Sequence, residues 1–254
     1  MDPWIIPEWP APPNVRSLIT TRKGGESIGR FASKGDGDPD YARNLDLLRR
    51  HLPGEPTWLR QVHGARVVEA DSTEGPPEAD AVFTRAENVV CAVLSADCLP
   101  VLFCDEQGTI VAAAHAGWRG LAAGILERTV EALETAPRNL IAYFGPAIGP
   151  RAFEVGDEVR RAFTRIQAEA AKAFTAQQGD KWLADLYLLA RLRLKTVGVT
   201  RVLGGGLCTY TDSERFFSHR RDGITGRMAS LIWLDSGPRQ DPRPSSHFRF
   251  PPPV

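Results

Sequence analysis

The chain has 254 residues, with 31 Lys and Arg against 31 Asp and Glu, so no net field draws it to nucleic acid or to an anionic membrane. The length suffices to bury a substantial core in one domain, and no stretch approaches the roughly 18 uninterrupted apolar residues of a membrane span. Met1-Asp2-Pro3-Trp4-Ile5-Ile6-Pro7 lacks the basic and apolar regions of an export signal, and Cys91, Cys98, Cys104 and Cys208 are too few and too embedded in apolar runs for a disulfide framework; both features predict the cytoplasm.

In chain order, residues 16–21 read as a first strand, followed by a glycine-bearing loop and a polar Gly/Asp loop through Asp40. A short helix is predicted over 41–52. Strand-like runs then follow quickly at 65–70, 79–84, 89–95, 101–105 and 109–114, several of them apolar throughout and so expected to be buried on both faces. Residues 121–133 switch to helical period, with Leu121, Ile125, Val130 and Leu133 along one stripe. Beyond lie a strand at 140–144, helices over 157–174 and 183–197, a strand at 201–203, the loop Gly204-Gly205-Gly206 and a last strand at 229–234. Residues 236–254, rich in Pro, Ser and Arg, predict a disordered or surface-draped tail behind a domain of residues 1–235. This pattern predicts an α+β or α/β layered sandwich with a large, partly antiparallel sheet core.

Three segments each offer a soft or borderline metal ligand beside glycines or a turn. They are Arg60-Gln61-Val62-His63-Gly64, Ser95-Ala96-Asp97-Cys98-Leu99-Pro100 and Ala114-His115-Ala116-Gly117-Trp118-Arg119-Gly120. Two imidazoles and a thiolate are the ligand types of a catalytic zinc, which leaves its fourth position open. The same set serves blue copper, but there a weak axial Met usually completes the site, and the chain has only Met1 and Met228; zinc is therefore favoured over copper. Taken singly, each residue also has a plain reading, Cys98 as a small buried hydrophobe and each His as a turn residue. A Cys–His pair is also an acyl-transfer constellation, with Cys98 as nucleophile and His115 or His63 as base, and the sequence alone does not place the side chains to separate the two. Asp97 either holds a backbone turn or acts from beside the site as proton acceptor or ligand orienter. His115 is expected where a strand hands over to a helix, whose first N–H groups suit an anion.

The segment from Phe216 to Arg227 combines aromatic rings, hydroxyls and Arg forks. Such forks grip phosphate or carboxylate in a bidentate way, and Phe faces stack on bases. The plain alternative is a solvated, Arg-rich edge with its Phe residues in the core.

Six ordered motifs carry a family resemblance: Gln61-Val62-His63-Gly64, Ala79-Asp80-Ala81, Ala96-Asp97-Cys98-Leu99-Pro100, His115-Ala116-Gly117-Trp118-Arg119-Gly120, Gly145-Pro146-Ala147-Ile148-Gly149-Pro150 and Phe217-Ser218-His219-Arg220-Arg221-Asp222. Over residues 20–234 the chain resembles the laccase-domain family, once labelled multicopper polyphenol oxidases and similar to purine nucleoside phosphorylases with adenosine deaminase and methylthioadenosine phosphorylase activity. The resemblance implies an α/β/β/α sandwich and zinc on His63, Cys98 and His115. It also implies catalytic roles for Arg60 and Asp97, and substrate contacts from Phe217, Ser218, Arg220 and Arg221. Purine nucleosides and phosphate would be the partners. One departure stands out: after Thr20-Thr21-Arg22-Lys23-Gly24-Gly25 the family usually continues with Ser and an Asn-Leu run, whereas here the loop reads Phe31-Ala32-Ser33-Lys34-Gly35-Asp36-Gly37-Asp38. A four-copper oxidase would need many imidazoles, and the chain has 5 His, of which His51 and His247 lie outside the motifs.

Overall fold

The computed structural model describes residues 4–22, 39–70 and 75–237, with backbone alone for 39–43. The elements in chain order are β1 (Val15–Ile19), α1 (Pro39–Arg49), β2 (Pro56–Thr57), β3 (Val67–Glu69), β4 (Ala81–Thr84), β5 (Val90–Ser95), β6 (Leu99–Asp105), β7 (Val111–Ala116), α2 (Trp118–Ala123) and α3 (Ile125–Ala132). They continue with β8 (Leu140–Phe144), β9 (Glu154–Gly156), α4 (Asp157–Thr164), β10 (Phe174–Ala176), β11 (Lys181–Ala184), α5 (Leu186–Thr196), β12 (Arg201–Gly204), α6 (His219–Asp222) and β13 (Met228–Leu234). Four strands pair in the order β1-β13-β5-β2, six in the order β12-β8-β6-β7-β4-β3, and three short ones in the order β10-β11-β9.

Period-two alternation sorts the apolar side chains into layers. On β5, Cys91 and Val93 face the six-stranded sheet, where they meet the layer of Leu102, Cys104, Val111 and Ala113. Val90, Ala92 and Leu94 turn outward to Leu45 and Leu48 of α1 and to Trp58. On the other sheet, Leu99, Val101 and Phe103 turn away from the interlayer with Ala112, Ala114 and Ala116, and are covered by Leu121, Ile125, Leu126 and Leu189 of the helices. The result is a mixed α/β/β/α sandwich in which β5, β6 and β7 are buried at every position. Their unbroken apolar composition follows from having a neighbouring layer on both faces. Phe103 is fully buried, and side chains of this kind each contribute about 1.5–3 kcal/mol by leaving water. No helix of the described residues is long and apolar enough to cross a membrane.

The expected helices shorten or divide. The stripe over 121–133 splits at Gly124, whose φ of 92° ends α2 and begins α3; glycine takes this left-handed conformation without a Cβ clash. The stretch expected as one helix over 157–174 ends at Thr164, becomes a 3₁₀ turn at Ala168–Ala173 and enters β10, while residues 183 and 184 belong to β11. Strands β9 to β11 pair with Trp182 opposite Val155 and Phe174 opposite Ala184, but three or four residues are too few to display an alternation. The loop over 31–38 and nearly all of the tail fall outside the described residues.

The layers converge at one rim. The link Ala96-Asp97-Cys98 crosses from the end of β5 in one sheet to the start of β6 in the other, and β7 arrives beside it, antiparallel, with Pro100 opposite His115. That end of β7 passes through Gly117 into α2, so the strand-to-helix handover falls where the sequence places it.

Candidate metal centre

His115 shares the interlayer face of Val111 and Ala113, Cys98 leads into β6, and His63 lies in the loop after β2. Their ligand atoms lie within 4.8 Å of one another. The His63 Nε2 to Cys98 Sγ distance is 3.8 Å, and the two imidazole rings stand 4.9 Å apart at 76°. His115 is buried, Cys98 half-buried and His63 exposed, which leaves the cluster open to solvent on the His63 side. Its closeness depends on glycine: a Cβ on Gly117 would lie 2.8 Å from Cys98 Sγ and 3.0 Å from His63 Cδ2, and one on Gly120 would lie 2.7 Å from the Gly64 carbonyl. Gln61 pins the loop by donating from Nε2 to the Leu94 carbonyl and accepting the Leu94 N–H at Oε1, each at 2.8 Å.

Asp80, which sequence reasoning left without a role, sits behind the cluster and is fully buried. Its Oδ1 accepts from His63 N at 3.0 Å and lies 2.8 Å from His115 Nδ1; its Oδ2 accepts from Val62 N at 3.2 Å and Gly64 N at 2.7 Å. The available signal was a carboxylate within an apolar strand, Ala79-Asp80-Ala81-Val82, since a buried charge requires partners. Burial would raise the Asp80 carboxyl, yet the bonds from His115 and the loop amides hold it below its ordinary range.

Burial would also raise the Cys98 thiol, but His115 and His63 outweigh it and bring it down to about 6. Burial would lower His115, but the Cys98 thiolate and Asp80 raise it to about 9. A thiolate is thus available near neutrality, the form in which Cys binds metal. A depressed thiol contributes stability that is present above its unfolded value of 9.0 and is lost as pH falls through about 6. In the metal-free protein, the thiolate absorbance missing from Cys98→Ala is expected to disappear with a midpoint near 6. A midpoint at the ordinary thiol value would contradict this electrostatic picture.

Asp97 adopts a left-handed φ of 90°, a strained conformation that Asp tolerates better than most residues. Its carboxylate accepts from Thr209 Oγ1 at 2.5 Å, Ser218 Oγ at 3.1 Å and Arg220 N at 2.7 Å. The residue beside Cys98 therefore ties Thr209, in the segment after β12, and the start of α6 to the rim. Ser218 caps α6, its Oγ accepting Arg221 N at 3.2 Å. Arg221 commits all five of its N–H donors: Nε and one Nη2 hydrogen to Asp222, both Nη1 hydrogens to the Thr209 and Tyr210 carbonyls, and the other Nη2 hydrogen to the Phe216 carbonyl. Among the described residues, the Arg220 side chain donates from Nη1 alone, to the Glu154 carbonyl at 2.9 Å. Phe217 is half-buried with the Arg22 guanidinium 5.4 Å from its ring centre. Arg60 points outward and pairs with Glu78 at 2.7 Å. Cys91 and Cys104 are core residues, as expected, and Cys208 accepts Gly149 N at 3.2 Å.

Fold and site together define a two-sheet α+β sandwich with a two-His, one-Cys cluster open at its rim. Residues 16–235 match the family described as multi-copper polyphenol oxidoreductase laccase, and the chain belongs to that family. It is 51% identical over 243 residues to the purine nucleoside phosphorylase YfiH of Escherichia coli, covering 92% of this chain and 100% of that one. It is 44% identical over 241 residues to a purine nucleoside phosphorylase of Haemophilus influenzae, covering 91% and 99%. Among solved structures, a Neisseria meningitidis protein of the DUF152 family superposes with a TM-score of 0.87 at 49% identity, covering 92% of this chain and 100% of that one. YlmD from Geobacillus stearothermophilus superposes with a TM-score of 0.79 at 31% identity, covering 88% and 93%.

Proposed function

We propose that the chain is a cytoplasmic, zinc-dependent purine nucleoside phosphorylase acting on adenosine, inosine and methylthioadenosine, with adenosine deamination as a second activity of the same site. The observation that carries this reading is the His63–Cys98–His115 cluster, within 4.8 Å, in a chain that matches relatives named purine nucleoside phosphorylase along nearly their whole length. The donors fit zinc: a thiolate held at low pKa, a His115 ring whose Nδ1 is engaged by Asp80, and an open fourth side. Bound there, zinc would supply Lewis acidity that makes water a nucleophile near neutral pH, which suits deamination.

Phosphorolysis asks the chain's own residues for positioning. A phosphate oxygen bonds to the anomeric carbon of the ribose as the bond from that carbon to the purine nitrogen breaks, and the departing base takes, directly or through water, the proton that hydrogen phosphate gives up on becoming the ester. Arg220, with guanidinium donors uncommitted among the described residues, is the residue for the phosphate. Phe217 offers a ring to the base. Ser218, engaged by Asp97 and capping α6, holds this segment at the rim, while Arg221 secures the loop behind it. Asp97 and Arg60 enter as positioning groups, Asp97 through the bonds it accepts and Arg60 through the strand-edge pair with Glu78.

The histidine count speaks against reading the family's copper label as a four-copper centre here. The chain has 5 His, and His51 packs its ring against Trp4 at 4.5 Å instead of joining the cluster.

The test is to follow nucleoside, free base and ribose 1-phosphate by chromatography across a phosphate titration, with elemental analysis of the same protein. Base release is expected only with phosphate, whereas inosine formation from adenosine is expected without it. Base release independent of phosphate would refute the phosphorylase reading.

A further inference from the structure

We propose that Asp80 is the positioning residue that makes the two histidines of the site one unit, fixing the ring orientation of His115 and the backbone that presents His63 through a single carboxylate. The inference rests on the metal reading of the cluster. Asp80 precedes β4, and the β4–β7 pairing sets Ala81 opposite Ala114. His115 N donates to the Asp80 carbonyl at 2.7 Å, so the two residues are neighbours by sheet register before their side chains meet. The carboxylate then lies 2.8 Å from His115 Nδ1. An ionised carboxylate only accepts hydrogen bonds, so Nδ1 carries the proton and Nε2 is left to face the cluster. The same group gathers the N–H groups of Val62, His63 and Gly64 and holds His63 at a φ of 60°, a left-handed conformation that an unsupported His seldom keeps.

The assignment makes a specific chemical demand, because only an acceptor on both oxygens satisfies it. In Asp80→Asn, volume and shape are kept but one oxygen becomes an NH2 group. If that group faces the loop, it opposes the Val62 and Gly64 N–H groups. If it faces His115, it donates to Nδ1 and moves the ring proton to Nε2, the nitrogen needed by the metal. Either orientation damages one histidine.

The full-length protein and Asp80→Asn are to be compared for zinc affinity by competition with a chromophoric chelator, and for the optical spectrum of the cobalt-substituted form. Zinc affinity is expected to fall about 10- to 100-fold, as for other partners that orient metal ligands, with a weakened tetrahedral cobalt spectrum. Unchanged affinity in a variant that melts like the wild type would overturn the assignment. Nitrogen-15 spectra of the histidine rings in the zinc-loaded wild type decide the matter even if the variant fails to fold: the proton of His115 is expected on Nδ1, and a proton on Nε2 would overturn it. Failure of the wild type to bind zinc would remove the metal reading and this inference with it, whereas wild-type binding with an indifferent Asp80→Asn would remove this inference alone.

Discussion

Cys98→Ala is expected to empty the site of zinc and to abolish both phosphorolysis and deamination, a loss exceeding the roughly 10- to 100-fold typical of groups that merely orient a ligand. Among the described residues, His63 and His115 are what remains of the cluster after the change, and two protein ligands fall short of the three that a catalytic zinc keeps. The thiolate also supplies negative charge to the cluster, so its removal lowers affinity beyond the loss of one bond. Elemental analysis after dialysis against a weak chelator gives the answer directly, and full zinc occupancy in the variant would refute the ligand assignment. The same protein separates the metal enzyme from a Cys–His hydrolase. A hydrolase would lose turnover in Cys98→Ala yet keep it when the wild type is treated with chelator, whereas the metal enzyme loses it in both.

The three clustered residues stood out in the sequence because their residue types are rare and each stands near a Gly or Pro: Gly64 after His63, Pro100 near Cys98, Gly117 near His115. The central strands were legible for a related reason, since β5, β6 and β7 lie between other layers and tolerate little that is polar. What escaped is set by pairing across distance. Asp80 bonds to His63 from 17 positions away and to His115 from 35, a convergence fixed by the β4–β7 register and by the return of the 62–64 loop. Arg221 escaped similarly. An Arg in a polar run gives no sign of which backbone groups it will meet, and only in the fold do the carbonyls of Phe216, Thr209 and Tyr210 surround it.

The two adjacent arginines should therefore part company under mutation. Arg221→Ala is expected to destabilise the fold by about 3 kcal/mol or more, since several hydrogen bonds from a charged donor, each contributing roughly 1.5–3 kcal/mol at most, disappear together from a mostly covered site. The rim loop and α6 lose their common clamp, so both activities fall with the melting temperature. Arg220→Ala removes a single bond to Glu154 and packing against Phe153, whose ring centre lies 5.6 Å from the guanidinium, and should leave the melting temperature near that of the wild type. If Arg220 grips phosphate, its loss should weaken that grip by about 1.5–3 kcal/mol, raising the phosphate requirement roughly 10- to 100-fold. Deamination needs no phosphate and should persist in Arg220→Ala. Thermal melts beside a phosphate titration of both products distinguish the two residues. An Arg221→Ala protein of wild-type stability, or an Arg220→Ala protein whose deamination falls as far as its phosphorolysis, would overturn this division of labour between clamp and anion grip.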